Sequence, residues 1–256
     1  MLEWLRVRLA QKTRTAPYPA GDTGLPGRFR GRPVLECAGD SASAAPLTTV
    51  PTALIRQDDN GRAMLDLGAC LFAPEEEVQS DGCRLHFTRD VAMAASTRGG
   101  LITSNGEVEL AHALDERLRK LLGRSLRLRS VVAGSCGGCE AELTAASNVV
   151  FDMGRFGVQF VASPRHADGI VITGVVNRNM IDALRATYEA VPDPRVVIAV
   201  GSCPISGGPF RGGAQVVGIP KDMPVDLWIP GCPPHPLTIL DGLLRLVGKL
   251  ERQRGA

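Results

Sequence analysis

Three runs of β-branched and aliphatic residues in the second half of this chain each end in a loop rich in glycine and proline, and each of those loops carries cysteine. The runs are Leu128–Gly134, Val196–Ser202 and Val225–Gly231, followed by Cys136 and Cys139, by Cys203, and by Cys232. Such runs, bounded by turn residues, read as buried strands. In an open α/β sheet, ligands gather outside the carboxyl ends of the strands, so cysteines far apart in sequence converge there. Four sulfurs brought together in this way point to one metal-cluster site, and they are enough for one 4Fe–4S cluster.

The segments between these runs complete an alternating pattern. Val158–Ala162 and Gly169–Gly174 add two more strands, and Glu140–Asn148 opens a helix. Asn179–Val191 is a helix with Met180, Leu184 and Tyr188 on one face, stopped at Pro192 and Pro194, and Pro236 to about Arg252 carries Ile239, Leu240, Leu243, Leu244 and Val247 inward. Strand and helix in alternation predict a parallel sheet covered on both faces. Gly134, Gly137, Gly138, Gly201 and Gly231 let backbone approach a bulky cluster, where amides hydrogen-bond sulfur. The pair Cys136 and Cys139 by itself also fits a thioredoxin-like redox site or half of a zinc site. A redox pair does not call for Cys203 and Cys232 at matching strand ends, and a zinc site of four cysteines ordinarily has a second C-x2-C; a structural adaptor holding zinc at these four residues stays open.

Composition bounds the rest. With 256 residues there is room for two small domains, and a formal net charge of +2 gives no reason to expect a nucleic-acid partner. Seven cysteines is an odd number, no secretory signal pattern is seen, and the chain reads as belonging to a reducing, cytosolic setting rather than to a disulfide framework. No apolar run approaches the roughly 18 to 20 residues that cross a bilayer. In the first 14 residues, Leu2, Leu5 and Leu9 share a helical face near Trp4 and Val7, among Arg6, Arg8, Lys12 and Arg14. That pattern fits a helix on an anionic membrane surface, and equally one packed on its own domain or on a subunit. Prolines and glycines from Pro17 to Gly27 mark an extended connection, and Phe29 to about Asp90 reads as short, loop-rich segments.

The order Tyr18-Pro19, Phe29–Pro33, Pro51–Leu54, Leu65–Gly68 and Phe87–Asp90 resembles the two-cluster ferredoxin subunit of complex I and of membrane-bound hydrogenases. The cysteines of that family, spaced C-x2-C-x2-C-x3-C-P, do not follow. A run anchored on Pro51 has Asp40, Ser43, Pro46 and Val50 in the ligand positions, and one anchored on Cys70 has Cys70, Ala73, Glu76 and Ser80. The resemblance implies a small degenerate ferredoxin-like α+β domain over residues 29–120, without clusters and acting as an interaction module. Cys37, Cys70 and Cys83 then read as packing residues, because a site made of these three with His86 matches neither zinc nor iron–sulfur spacing.

A second resemblance is more specific. Gly134–Glu142 (GSCGGCEAE), Arg155–Gly157 (RFG), Ala162–Asp168 (ASPRHAD), Pro192–Arg195 (PDPR), Gly201–Gly208 (GSCPISGG) and Pro224–Pro234 (PVDLWIPGCPP) follow one another as in a single family. From about Ser125 to Lys249 the chain is similar to the small electron-transfer subunit of complex I, its 20 kDa subunit, and of energy-converting, membrane-bound nickel–iron hydrogenases such as formate hydrogenlyase. The resemblance implies a flavodoxin-like parallel sheet over residues 121–256, after an N-terminal helix and linker over 1–28 and the ferredoxin-like domain. It implies one proximal 4Fe–4S cluster on Cys136, Cys139, Cys203 and Cys232. The implied partners are a large hydrogenase-like or quinone-reductase-like catalytic subunit, membrane-arm subunits and a separate ferredoxin-like subunit as relay, at the cytoplasmic face of the inner membrane. Complex I has adjacent cysteines in the first motif, whereas here Gly137 and Gly138 separate Cys136 from Cys139, as in the hydrogenase branch. A complex I-like quinone-reducing or ion-pumping assembly without hydrogenase activity is the second reading. Arg165, His166 and Glu142 are candidates for tuning the cluster; Arg165 and His166 equally suit a subunit interface, and Glu142 equally complements a helix dipole. Asp168, Asp226, Pro233 and Pro234 read as structural, and no substrate site or catalytic residue is seen in the chain itself.

Overall fold

The computed structural model describes residues 3–37, 54–80, 83–104, 107–122, 125–134 and 136–250. Asp40, Ser43, Pro46 and Val50 lie outside these residues, as does the side chain of Ser80. Helix α1 (Glu3–Gln11) buries none of its residues and leaves Trp4, Val7 and Leu9 exposed. The strap that follows is tied to the second half of the chain. Ala16 N–H donates to the Val150 carbonyl at 2.7 Å, and the Arg155 guanidinium donates to the carbonyls of Ala16 and Tyr18 at 2.8 and 2.9 Å.

Strands β1 (Pro33–Cys37), β2 (Ile55–Gln57), β3 (Ala63–Asp66), β4 (Val78–Ser80), β5 (Cys83–Phe87) and β6 (Ile102–Thr103) form two antiparallel sheets, ordered β1-β5-β4 and β2-β3-β6. Short 3-10 turns at 67–69, 74–76 and 99–101 link them, and helix α2 (Glu116–Leu122) closes the region. Asp66, at the end of β3, is fully buried, and its charge is met on both oxygens. Arg56 and Arg98 reach Oδ2 at 2.6 and 2.7 Å, and Gly68 N–H donates to Oδ1 at 3.1 Å. A buried carboxylate is tolerable only with such pairing.

The second half is built from β7 (Leu126–Val132), α3 (Gly138–Ala146), β8 (Val158–Phe160), β9 (Gly169–Thr173), α4 (Ile181–Glu189), β10 (Val196–Val200), α5 (Ser202–Ser206), β11 (Leu227–Ile229) and α6 (Pro236–Leu246). All pairings within its sheet are parallel and the order is β8-β7-β9-β10-β11. In chain order this is 2-1-3-4-5, the flavodoxin-like winding. Every residue of β9 and β10 is buried, as strands covered on both faces require. Helix α6 stops at Leu246, short of the expected Arg252. Gly248 there takes φ +71°, and the N–H groups of Gly248 and Lys249 close back on the carbonyls of Arg245 and Leu244.

Packing runs without a break across residue 120. Leu35, Leu54, Leu65, Leu67, Leu85, Met93 and Leu101 share one core with Ala199 and Ile205, against which Val225 and Trp228 also pack. Ala95 pairs with Trp228 through two backbone hydrogen bonds of 3.0 and 2.9 Å, covering the edge of the parallel sheet at β11. All eleven residues of α6 are buried, among them Asp241 and Arg245, which form an i,i+4 pair at 2.8 and 3.2 Å. Tyr18 completes this network by donating its hydroxyl to Asp241 at 2.5 Å. Burial, then the neighbouring Asp241 carboxylate, holds the Tyr18 phenol far above its ordinary range, so it remains a donor. Asp241→Ala leaves the buried Arg245 charge unmatched and is expected to lower the unfolding free energy in urea by about 3–5 kcal/mol. Tyr18→Phe is expected to lower it by about 1–3 kcal/mol. A loss under about 0.5 kcal/mol in both variants, the size of an ordinary surface change, would show that the strap does not stabilise α6.

Candidate metal centre

The cysteine loops leave the parallel sheet at its carboxyl end. After β7 the chain passes exposed Cys136 to Gly137, which caps α3 in the left-handed conformation with φ +84°. Cys139, buried, thus sits in the first turn of α3, where backbone N–H groups lack intrahelical acceptors and the helix dipole favours a thiolate. After β10, Gly201 (φ +97°) leads into α5 and buried Cys203; after β11, Gly231 precedes half-buried Cys232. These last two loops are fastened together, since Gly201 N–H donates to the Ile229 carbonyl and Ser202 N–H to the Gly231 carbonyl, both at 2.8 Å.

The glycines show how close the sulfurs come to the opposing loops. A Cβ on Gly201 would lie 2.5 Å from Cys139 Sγ, and one on Gly208 would lie 3.0 Å from Cys203 Sγ. A Cβ on Gly138 would lie 3.5 Å from both Cys136 Sγ and Pro233 Cγ. The thiols also act on one another. Burial first, then Glu140, Cys203, Cys232 and Cys136, pushes the Cys139 thiol well up; burial, Cys232, Cys136 and Glu140 push Cys203 up to about 11; burial and then Cys136 raise Cys232. Thiols raised in this way lose their protons together only beside strong positive charge, which is what a metal centre supplies. Among the described residues no three His, Cys, Asp or Glu side chains are spaced to share one metal ion. A single tetrahedral zinc, with Zn–S near 2.3 Å, draws its sulfurs to within about 4 Å of one another. Four cysteine sulfurs are the donor set that an iron–sulfur cluster takes.

Strand β9 brings no cysteine but supplies Thr173, whose hydroxyl donates to Glu140 beside Cys139. Glu140, unlike Glu142, was not marked by the sequence; its adjacency to Cys139 was the available signal. Glu142 instead lines a cleft of about 270 Å³ with Arg28, Phe72, Cys232 and His235, and burial raises its carboxyl. The His235 ring packs edge-on to Phe29 and Phe151, accepts from Leu237 N–H at 3.2 Å, and is lowered by burial. Arg165 and His166 occupy an exposed turn after β8. β8 itself pairs with Leu126–Leu128, the first half of β7.

The remaining cysteines separate into two kinds. Cys70 is buried and free, and its thiol reaches Glu76 Oε2 at 3.4 Å. Cys83 is also buried but disulfide-bonded, and it faces Cys37 in the register of β1 and β5. It is therefore more than the packing residue expected from the sequence; the side chain of Cys37 lies outside the described residues. Replacing Gly201 by Ala forces a methyl against Cys139 Sγ and is expected to destabilise the chain by about 1–3 kcal/mol in urea. An unchanged midpoint would show that the Cys139 loop and the Gly201 loop are not clasped as described.

Residues 136–246 match the family described as NADH ubiquinone oxidoreductase, 20 Kd subunit. The probable membrane-bound hydrogenase subunit mbhJ of Pyrococcus furiosus is 40% identical over 153 residues, which cover 59% of this chain and 91% of that protein. An NADH-quinone oxidoreductase subunit of Citrifermentans bemidjiense is 43% identical over 118 residues, covering 46% of this chain and 69% of its own length. A chain of the membrane-bound sulfane sulfur reductase, an archaeal respiratory membrane complex, superposes with a TM-score of 0.46 and 32% identity over 55% of this chain and 78% of its own. Identity sustained over nine-tenths of a relative settles the kinship: this chain belongs to the family of the 20 kDa subunit of NADH ubiquinone oxidoreductase, whose members are oxidoreductase subunits and include a membrane-bound hydrogenase subunit.

Proposed function

We propose that this chain is the electron-transfer subunit of a membrane-bound, hydrogenase-like complex of the formate hydrogenlyase kind, with one 4Fe–4S cluster on Cys136, Cys139, Cys203 and Cys232. The observation that carries this reading is the convergence of these four thiols at the carboxyl ends of β7, β10 and β11. When bound, such a cluster takes up and returns one electron. The chain's own part is to hold four thiolates in fixed loops, keep Cys139 and Cys203 from water, and place carboxylates and backbone amides around them. The two residues between Cys136 and Cys139 favour the hydrogenase branch over a complex I-like quinone reductase. A large catalytic subunit, membrane-arm subunits and a separate ferredoxin-like relay are the partners of this reading. Residues 1–28 and 29–120 carry no cluster in it and serve docking, with Arg165 and His166 at a subunit interface and Glu142 beside the cluster. No helix among the described residues is long and apolar enough to cross a membrane, which agrees with peripheral attachment, here assigned to the cytoplasmic face.

Iron and sulfide analysis of the anaerobically purified chain is expected to give about four irons, with an EPR signal on reduction. Cys203→Ala and Cys232→Ala are expected to abolish that signal, and Cys70→Ala to leave it in place. Eight irons per chain, or stoichiometric zinc without iron, would overturn the reading.

A further inference from the structure

The loop from Leu67 to Glu76 has no metal-ligand role in this reading, yet it is built around a buried charge. The Glu76 side chain is fully buried. Its Oε1 accepts from Leu71 N–H at 3.0 Å, and its Oε2 accepts from Leu71 and Ala73 N–H at 3.2 and 3.0 Å and from the Cys70 thiol at 3.4 Å. In each of these contacts the carboxyl acts as acceptor, the role of an ionised carboxylate, and charge-assisted bonds of this kind are the strong ones. Phe72 N–H in turn donates to Cys70 Sγ at 3.4 Å, closing the loop around its own cysteine.

The same loop grips the cysteine loops of the parallel sheet. Ser202, itself buried, donates its hydroxyl to the Cys70 carbonyl at 2.6 Å and lies 3.1 Å from the Gly231 carbonyl. Ser202 immediately precedes Cys203, and Gly231 immediately precedes Cys232. The turn at 67–69 lies directly on α5, since a Cβ on Gly68 would come within 2.4 Å of Ile205 Cγ2. Phe72 of this loop and Cys232 line one cleft, so the loop that Glu76 holds lies beside the proposed ligand set.

We propose that the Leu67–Glu76 loop positions Cys203 and Cys232 through Ser202, and that the buried Glu76 carboxylate lowers the reduction potential of the cluster held there. A fixed negative charge beside the centre opposes the arrival of an electron, more strongly where water is excluded. The inference rests on the cluster reading above. It makes Glu76 and Ser202 positioning residues, and Glu76 lies in a part of the chain outside the matched family region.

The test uses the full chain, purified anaerobically, with iron content and an EPR-monitored redox titration. Wild-type protein without iron would sink the cluster reading and this inference with it. With iron present, Glu76→Gln keeps the shape and removes the charge. Its midpoint is expected to rise by about 59 mV, a tenfold change in a one-electron reduction equilibrium, while Glu76→Asp, which keeps the charge, stays near wild type. A wild-type midpoint in an iron-replete Glu76→Gln protein would overturn the electrostatic role. Should Glu76→Gln retain no iron, Ser202→Ala carries the test: several-fold faster iron loss to a chelator, or failure to retain iron at an unchanged apo-protein melting temperature, supports the brace. A wild-type release rate would overturn it.

Discussion

Everything at the carboxyl end of the parallel sheet answers to one electrostatic constraint. Burial first, and then the neighbouring sulfurs, makes Cys139, Cys203 and Cys232 costly to ionise, and the first two of these are buried. A free loop would relieve that opposition by moving its sulfur into water. Here the loops cannot move independently: Gly201 and Ser202 are hydrogen-bonded to Ile229 and Gly231, and the strands beneath are fixed by parallel ladders on buried, two-faced strands. The sheet therefore stores an arrangement that is unfavourable for bare thiolates and favourable once positive charge is supplied, which is how a metal site couples binding to folding.

The parts of this arrangement that were legible in the sequence are those fixed by short-range pattern. β9 and β10 read as strands because unbroken apolar runs fit a sheet covered on both faces, and Cys203 follows the second of those runs directly. Register was not legible. The runs 158–162 and 128–134 both read as strands, but nothing in them tells that β8 pairs with the first half of β7 rather than the second. The contact of Glu140 with Thr173 of β9 is likewise a tertiary fact that no local pattern announces. The contact of Tyr18 with Asp241 spans 223 residues and leaves no periodic trace.

Buried charge also explains why the first half of the chain is not a loose appendage. Asp66 draws Arg56 and Arg98 together, and Asp241 draws Arg245 and Tyr18. Each is a pair that is strongly destabilising to break although modest in net value to form. Apolar packing alone tolerates sliding; the Tyr18–Asp241 hydrogen bond and the Ala95–Trp228 bridge cross between the halves and set one register. Glu76 belongs to the same class. The fold turns it inward, where the backbone amides of Leu71 and Ala73 hydrogen-bond its carboxyl.

The resulting site is asymmetric. On one side the Leu67–Glu76 loop, Ser202 and the core behind them seal Cys203 from solvent. On the other, Cys136 is exposed, and a cavity of about 850 Å³ opens between Gly134, Val175, Asn177 and the Phe210–Val216 loop, with Phe210 itself 49% exposed. Electron transfer weakens steeply with distance, so a cluster in this position communicates best through the side on which least protein lies over it. In the proposed reading, fixed charge and excluded water act on the electron from the sealed side, and the exposed side is its shorter way out.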